Sequence, residues 1–140
     1  MNRLTRIKYD ASVMKYMSLF ESVTRARLKD CIMGEKVIFI VEEGEMGKAI
    51  GKHGANVKML ESMLKKSIRV IEFNNNITEF IGNLISPIRP KALEAAEGGV
   101  VITANDMKTR GMLIGRDRKN VEQVKEIVGR YFGNIEIKVD

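Results

Sequence analysis

The sequence predicts an α+β fold built from two small domains that repeat one order of elements. The 140-residue chain carries an internal repeat, and its apolar spacing switches between helical and strand periods in the same order twice. Its 44% hydrophobic and 30% charged residues are an ordinary globular mixture. Domains of about 60–65 residues are marginally stable alone. We therefore expect domains 1–75 and 76–140 to pack in a fixed orientation.

The repeat is clearest around two glycine-containing segments, 64 positions apart (Gly51 to Gly115). Five residues of the first segment recur without gaps in the second: Gly47, Ile50, Gly51, Asn56 and Val57 match Gly111, Ile114, Gly115, Asn120 and Val121. Charge type also recurs, since Arg116 matches Lys52. The same spacing aligns Val37-Ile38 with Val101-Ile102. This many identities at one spacing indicate a duplicated structural unit.

The first repeat opens with a helix after Asp10, a residue type that caps helices. The continuous apolar run at 37–41 is typical of a buried strand, and Gly34 marks the turn before it. A short helix ends at Gly51, and a longer helix follows. The flanking strands are expected over 26–32 and 68–73. The residues expected to face the core from the longer helix are Val57, Leu60, Met63 and Leu64, with Met17 and Met59 as gap-filling core.

The second repeat shows the same order. A helix over 77–85 is stopped by Pro87, and Gly98-Gly99 is expected to turn a hairpin between strands at 91–96 and 100–104. A short helix over 107–114 precedes a longer one. The last strand alternates through Ile135, Ile137 and Val139. Each repeat is therefore predicted to be α-β-β-α-α-β.

Charge and rare residues restrict the function. Lys and Arg number 24 against 18 Asp and Glu, and this net charge of +6 favours nucleic acid over a membrane surface as partner. One cysteine excludes an internal disulfide and fits a reducing cytosol. One histidine and one cysteine exclude the usual zinc clusters. Without an apolar run long enough to span a membrane or a signal peptide, we expect a cytoplasmic protein without cofactor or metal.

The segment Gly51-Lys52-His53-Gly54 is a G-x-x-G loop between two predicted helices. Glycines let the backbone approach a sugar-phosphate chain closely, and the following helix offers free N–H groups and a positive dipole end. Lys52 and Lys58 add charge, and no acid lies between Gly47 and Leu60. The other G-x-x-G, at 44–47, has glutamates around it and is interpreted as a strand-to-helix turn. A P-loop is excluded because the spacing and the Ser/Thr are wrong.

The matching loop of the second repeat reads Gly115-Arg116-Asp117-Arg118, with arginine at the second glycine position. If that position needs a positive φ, Arg118 costs about 1 kcal/mol or more. The alternative is that the helix begins one residue early. In either case we expect a looser backbone clamp whose contact with a nucleic acid is mainly electrostatic.

An α-β-β-α-α-β unit with G-x-x-G between adjacent helices resembles the type II KH domain, which binds single-stranded nucleic acid. Residues 44–57 (GEMGKAIGKHGANV), with 18–24 (SLFESVT) and 30–32 (DCI), look like the archaeal NusA-like transcription factors. These are short proteins of two KH domains, and the resemblance covers about residues 10–140. It implies two tandem type II KH domains, single-stranded RNA as ligand, and a role in transcription termination or antitermination. RNA polymerase is a further candidate partner.

The residues expected to contact RNA belong to the two loops and the adjoining helix faces. In the first repeat they are Lys48, Ile50, Gly51, Lys52, His53, Gly54, Asn56, Val57 and Lys58. In the second repeat they are Ile114, Gly115, Arg116, Arg118, Lys119 and Val121.

Two other functions compete with RNA binding. The first is an interaction protein that docks on RNA polymerase or a ribosome, with RNA contact secondary. Titration of the purified protein with short RNAs would separate the two. The second is an enzyme, but no paired carboxylates, triad or metal ligands support it, and His53 has no neighbouring nucleophile. Cys31 is expected to be a small buried hydrophobe. We expect no enzymatic activity.

Overall fold

The computed structural model describes residues 10–140. By internal contacts they divide between residues 74 and 75 into two compact units, called here the first and the second unit. No helix among residues 10–140 has the length and apolar character needed to cross a membrane.

The first unit has three helices and a three-stranded sheet. Its elements are α1 (Ala11–Thr24), β1 (Leu28–Ile32), β2 (Val37–Val41), α2 (Met46–Ile50), α3 (Ala55–Leu64) and β3 (Ile68–Glu72). Strand β2 lies in the middle of the sheet, antiparallel to β1 and parallel to β3. All five residues of β2 are buried, as its apolar run predicts.

The second unit repeats this arrangement. Its elements are α4 (Ile77–Ile85), β4 (Ala92–Ala96), β5 (Gly99–Thr103), α5 (Met107–Ile114), α6 (Lys119–Phe132) and β6 (Glu136–Val139). Strand β5 lies between antiparallel β4 and parallel β6. The mixed α+β class is thus confirmed, and the order α-β-β-α-α-β occurs in each unit.

Local signals explain where the helices begin and what they pack against. The Asp10 carboxylate accepts a hydrogen bond from the Val13 N–H at 3.0 Å, so it caps α1 as predicted. In the first unit Phe20 stacks on Phe39, with ring centroids 4.4 Å apart. Cys31 is buried on β1, as expected. In the second unit the core ring is Phe80, which meets aromatic side chains of α6.

Two predicted core methionines are in fact exposed. Met59 and Met63 are 53% and 51% exposed, whereas Leu60 is fully buried. The inward stripe of α3 is set by Leu60 and Leu64, and a residue next to either one lies about 100° around the helix. Met17, in contrast, packs against the core as predicted.

Two details of the second repeat also differ from the prediction. The hairpin turn is Glu97-Gly98, and Gly99 already opens β5, where a side chain would collide with the backbone oxygen of Glu136. The alignment of Ile38 with Ile102 is wrong as well. The Ile102 carbonyl accepts from the Asp140 N–H at 2.8 Å. The Val41 carbonyl accepts in the same way from the Phe73 N–H at 2.8 Å, so Ile102 corresponds to Val41 and not to Ile38. The shift arises because α5 has eight residues and α2 only five.

Candidate nucleic-acid interface

The first loop is a single helical turn with left-handed residues in it. Residues Lys52–Gly54 form a single 3-10 turn between α2 and α3, closed by the Gly54 N–H donating to the Gly51 carbonyl at 3.1 Å. Gly51, His53 and Gly54 all have positive φ, at 78°, 55° and 74°. Left-handed backbone favours glycine, which explains the residue type at both ends of the loop.

The two glycines are needed for different reasons. A Cβ on Gly51 would lie 2.8 Å from Cγ of Asn56, so a side chain there has no room. A Cβ on Gly54 would have no atom within 4 Å, so Gly54 faces open space. The backbone at Gly54 can therefore be approached closely from outside, as the G-x-x-G motif requires.

The helix after this loop begins without a side-chain cap. Among the described residues, side chains of Asp10, Asn76 and Asp106 cap α1, α4 and α5, but none caps α3. The N-terminal N–H groups of a helix and its positive dipole end attract anions. An acidic cap would compete with a phosphate for these N–H groups, and α3 has no such cap.

The structure brings the predicted residues of the first unit together around this loop. Lys48, Lys52, His53 and Lys58 are exposed, while Ile50, Gly51, Gly54, Asn56 and Val57 are half-buried. The exposed Lys48 ammonium lies 3.8 Å from the carboxylate of the buried Glu45. Asn56 turns its side chain toward α2 and donates to the Lys48 carbonyl at 2.8 Å.

The nearby glutamates are held by backbone groups. Glu45 is buried and accepts from the Arg27 N–H at 2.6 Å, and Glu72 accepts from the Gly44 N–H at 3.0 Å. The segment 44–47 runs from the connection after β2 into the first turn of α2, which agrees with the strand-to-helix turn predicted for this second G-x-x-G. These two carboxylates are thereby occupied within the fold.

The second loop has the same backbone conformation as the first despite its arginine. Gly115, Asp117 and Arg118 have φ of 76°, 55° and 63°, beside 78°, 55° and 74° at the matching positions. Helix α6 begins at Lys119, so the alternative of an early helix start is wrong. Arg118 instead adopts the left-handed conformation, at a cost of about 1–2 kcal/mol.

The second loop borders a cleft of about 320 Å³ within the second unit. Its lining residues come from α5, the loop, α6 and β6: Arg110, Ile114, Arg118, Val121, Glu136, Ile137, Lys138 and Val139. Aliphatic side chains with three cations and one carboxylate leave a net positive lining, which suits a flat base and its phosphate. The sequence places Ile114, Arg118 and Val121 among the expected contacts and counts Arg110 only in the local positive charge, whereas it gives no signal for the β6 residues.

Three predicted residues of the second unit are not among those that line this cleft. Arg116 and Lys119 are exposed, and Gly115 is half-buried. The Arg118 guanidinium lies 3.9 Å from the Glu122 carboxylate across one helical turn, with both side chains largely exposed. No side chain of the described residues caps α6. The second loop therefore also presents positive charge at an open helix N-terminus.

Two ionisable groups, one in each unit, have shifted pKa values. The hydrogen bond from the Thr109 N–H lowers the pKa of Asp106, the residue that caps α5. Burial lowers the pKa of Arg69 on β3. Among residues 10–140, no group of three or more His, Cys, Asp or Glu is arranged to hold a metal ion.

A mixed three-stranded sheet of this order with G-x-x-G between two helices defines the KH class of RNA-binding domains. A family model described as KH domain matches residues 15–85. Two curated relatives are called probable transcription termination protein NusA. The one from Methanococcus vannielii is 36% identical over 96% of this chain and 80% of its own length. The one from Methanocaldococcus jannaschii is 30% identical over 97% of this chain and 76% of its own length.

A solved structure agrees with these relatives. The crystal structure of APE1850 superposes with a TM-score of 0.74 at 28% identity, covering 94% of this chain and all of that one. The chain therefore belongs to the archaeal NusA-like family of KH proteins, as its loop sequence predicted.

Proposed function

We propose that this protein binds single-stranded RNA with two KH domains, residues 1–75 and 76–140, and acts in transcription termination or antitermination. The observation that carries the proposal is the repeated loop. Both units have the same sequence of positive-φ residues, and each loop leads into a helix without a side-chain cap. A phosphate held at such a helix start places the adjoining base against the aliphatic side chains beside it.

In the first domain the proposed contact is close and uses the backbone. Gly54 faces open space, so a phosphate oxygen can reach the start of α3 without meeting a side chain. Lys52 and His53 flank the approach, and both are exposed. Ile50 and Val57 would form the wall against which a base lies.

In the second domain the proposed contact is made by side chains. Arg118 stands where the first domain has open space, so its guanidinium, rather than the bare backbone, meets the phosphate. The guanidinium can bind two phosphate oxygens at once. The cleft between Ile114, Val121 and Ile137 is then the place for a base. We expect tight, shape-dependent contact in the first domain and more charge-dependent contact in the second.

RNA polymerase is the proposed second partner, because the relatives are called transcription termination proteins. A role in which docking dominates and RNA contact is secondary has one observation in its favour. The six exposed large hydrophobic side chains among the described residues are all methionines, a residue type common on adaptable protein-binding surfaces: Met14, Met33, Met59, Met63, Met107 and Met112.

Titration of the purified full chain tests the RNA step. A labelled single-stranded RNA of about ten nucleotides, the matching single-stranded DNA and the duplex RNA would be compared over a range of salt. We expect the single-stranded RNA to bind better than the duplex, with affinity falling by about 0.7 log units per phosphate contact for each log unit of salt. Failure to bind single-stranded RNA at low salt would favour the docking function.

A transcription assay tests the cellular role. Purified archaeal RNA polymerase would elongate through a terminator with and without the protein, and the fraction of readthrough would be measured. We expect the protein to change that fraction, and the Lys52→Asp, His53→Asp double variant to lose the effect. An equal effect of this variant would mean that the protein acts on polymerase without the loop.

A further inference from the structure

The same side-chain bridge spans the two helices around each loop. Nδ2 of Asn56, on the first turn of α3, donates to the Lys48 carbonyl of α2 at 2.8 Å. Nδ2 of Asn120, on the first turn of α6, donates to the Met112 carbonyl of α5 at 2.9 Å. Both bonds have good geometry for an N–H donor and a carbonyl acceptor.

Each asparagine also fills the space beside the first glycine of its loop. A Cβ on Gly51 would lie 2.8 Å from Cγ of Asn56, and one on Gly115 would lie 2.6 Å from Cγ of Asn120. The amide is thus packed against the loop backbone and bonded to the preceding helix. In each asparagine one amide N–H is thereby engaged within the fold, although Asn56 is half-buried and Asn120 is exposed.

The Asn56 hydrogen bond stabilises an element, α2, that is too short to be stable by itself. Helix α2 has only five residues, too few to be stable alone, and carbonyls near its C-terminal end lack partners within the helix. The Asn56 bond satisfies one of these carbonyls and fastens α2 to α3. The loop between them contains left-handed His53, which the fold must hold against an intrinsic preference for other conformations.

We infer that Asn56 and Asn120 are positioning residues that hold the two loops in the conformation that binds RNA, without contacting RNA themselves. This inference rests on the proposed function of the loops. It also accounts for the second loop, which keeps the shape of the first even though Arg118 replaces glycine. The hydrogen bond of Asn120 constrains the second loop although the second glycine is absent there.

Amide hydrogen exchange in the full chain without RNA tests the positioning role directly. The probes in the first loop are Gly54 and Ala55, whose N–H groups donate to the carbonyls of Gly51 and Lys52. In Asn56→Ala we expect these amides to exchange about fivefold faster or more, as for loss of one hydrogen bond. The amides of Arg118 and Lys119 in the second loop should not change and serve as the internal control.

The reciprocal variant supplies the matched control. Asn120→Ala should speed exchange at Arg118 and Lys119 and leave Gly54 unchanged. RNA affinity, measured on the same proteins, should fall about fivefold for Asn56→Ala. If Asn56→Ala does not fold, Asn56→Leu fills the same space without the donor and is used in its place.

The combined readouts decide the inference. Faster loop exchange together with weaker RNA binding supports it. Weaker binding with unchanged exchange would overturn it, because Asn56 would then contact RNA directly. Unchanged exchange with unchanged binding would also overturn it. Faster exchange with unchanged binding would mean that the loop is held by Asn56 but is not the RNA clamp, which contradicts the proposed function itself.

Discussion

The first loop can be given an acidic character without altering its backbone. In the double variant Lys52→Asp, His53→Asp, both replaced side chains are exposed. The second loop already has an aspartate, Asp117, at the position that matches His53, and both residues have φ of 55°. The fold therefore accommodates aspartate in this left-handed position. We expect the free energy of unfolding to change by less than about 0.5 kcal/mol.

The effect on RNA binding follows from charge. With a neutral histidine, the variant changes the loop charge by three units, from +1 to −2. A phosphate about 6 Å away interacts with each unit by about 0.7 kcal/mol in water, which gives about 2 kcal/mol in all. That corresponds to an affinity about 30-fold lower. Loss of one phosphate contact should also flatten the salt slope by about 0.7.

A second double variant controls for net charge. Lys65→Asp with Lys66→Ala removes the same three units at the other end of α3, a helix of ten residues and thus about 15 Å long. Lys65 has a φ of 56°, which aspartate tolerates. Fluorescence anisotropy with one RNA should show less than about a threefold loss, since this distance exceeds the Debye length of about 8–10 Å. Equal losses in both variants, or none in the loop variant, would refute the loop as the clamp.

Three further variants test the geometry of the loops. Gly51→Ala should lower the free energy of unfolding in urea by about 2 kcal/mol or more, because its Cβ meets Asn56, whereas Gly54→Ala should cost only the left-handed penalty of about 1 kcal/mol. Arg118→Gly should be nearly neutral in stability, since relief of that penalty offsets the entropy of glycine, yet lower RNA affinity about threefold through one lost charge. If Arg118→Gly lowered the free energy of unfolding by more than about 1 kcal/mol, this would contradict the strain at Arg118. The variant Asp106→Asn tests a pH dependence. Because the pKa of Asp106 is lowered in the folded protein, its carboxylate stabilises the wild type at pH values above the unfolded pKa of about 3.9. This stabilisation is lost as the pH falls through the lower pKa of the folded state. The stability difference between the wild type and this variant should therefore shrink in acid, and a constant difference would argue against the Asp106 cap.

The sequence predicted the elements with the sharpest local signals. The bounds of α5, 107–114, were correct because Asp106 and Gly115 mark its two ends. The strand at 37–41 was correct because a continuous apolar run flanked by polar residues has few alternatives. The choice of the first loop over the glutamate-rich segment at 44–47 follows from its charge, its position between two predicted helices and its counterpart 64 residues later.

Other features depend on contacts between distant parts of the chain and could not be predicted. The cleft of the second unit requires β6 to lie beside the loop, and that position is set by its parallel pairing with β5. The exposure of Met63 depends on how α3 is rotated against the sheet, and methionine spacing alone does not fix that rotation. The left-handed conformation of Arg118 is contrary to the local preference of arginine, so only the assembled fold reveals it.

The shared shape of the two loops has a consequence for how the repeat is recognised in the sequence. A search for the letters G-x-x-G in this chain returns 44–47 and 51–54 and overlooks 115–118. By backbone conformation, 51–54 and 115–118 form the matching pair, and 44–47 is a strand-to-helix connection. Both loops have an isoleucine directly before the first glycine and an asparagine five residues after it: Ile50, Gly51 and Asn56 in the first, and Ile114, Gly115 and Asn120 in the second. The glycine–asparagine spacing alone also matches Gly129, inside α6, and Asn134 after it, so the isoleucine before the glycine is needed to single out the two loops of this chain.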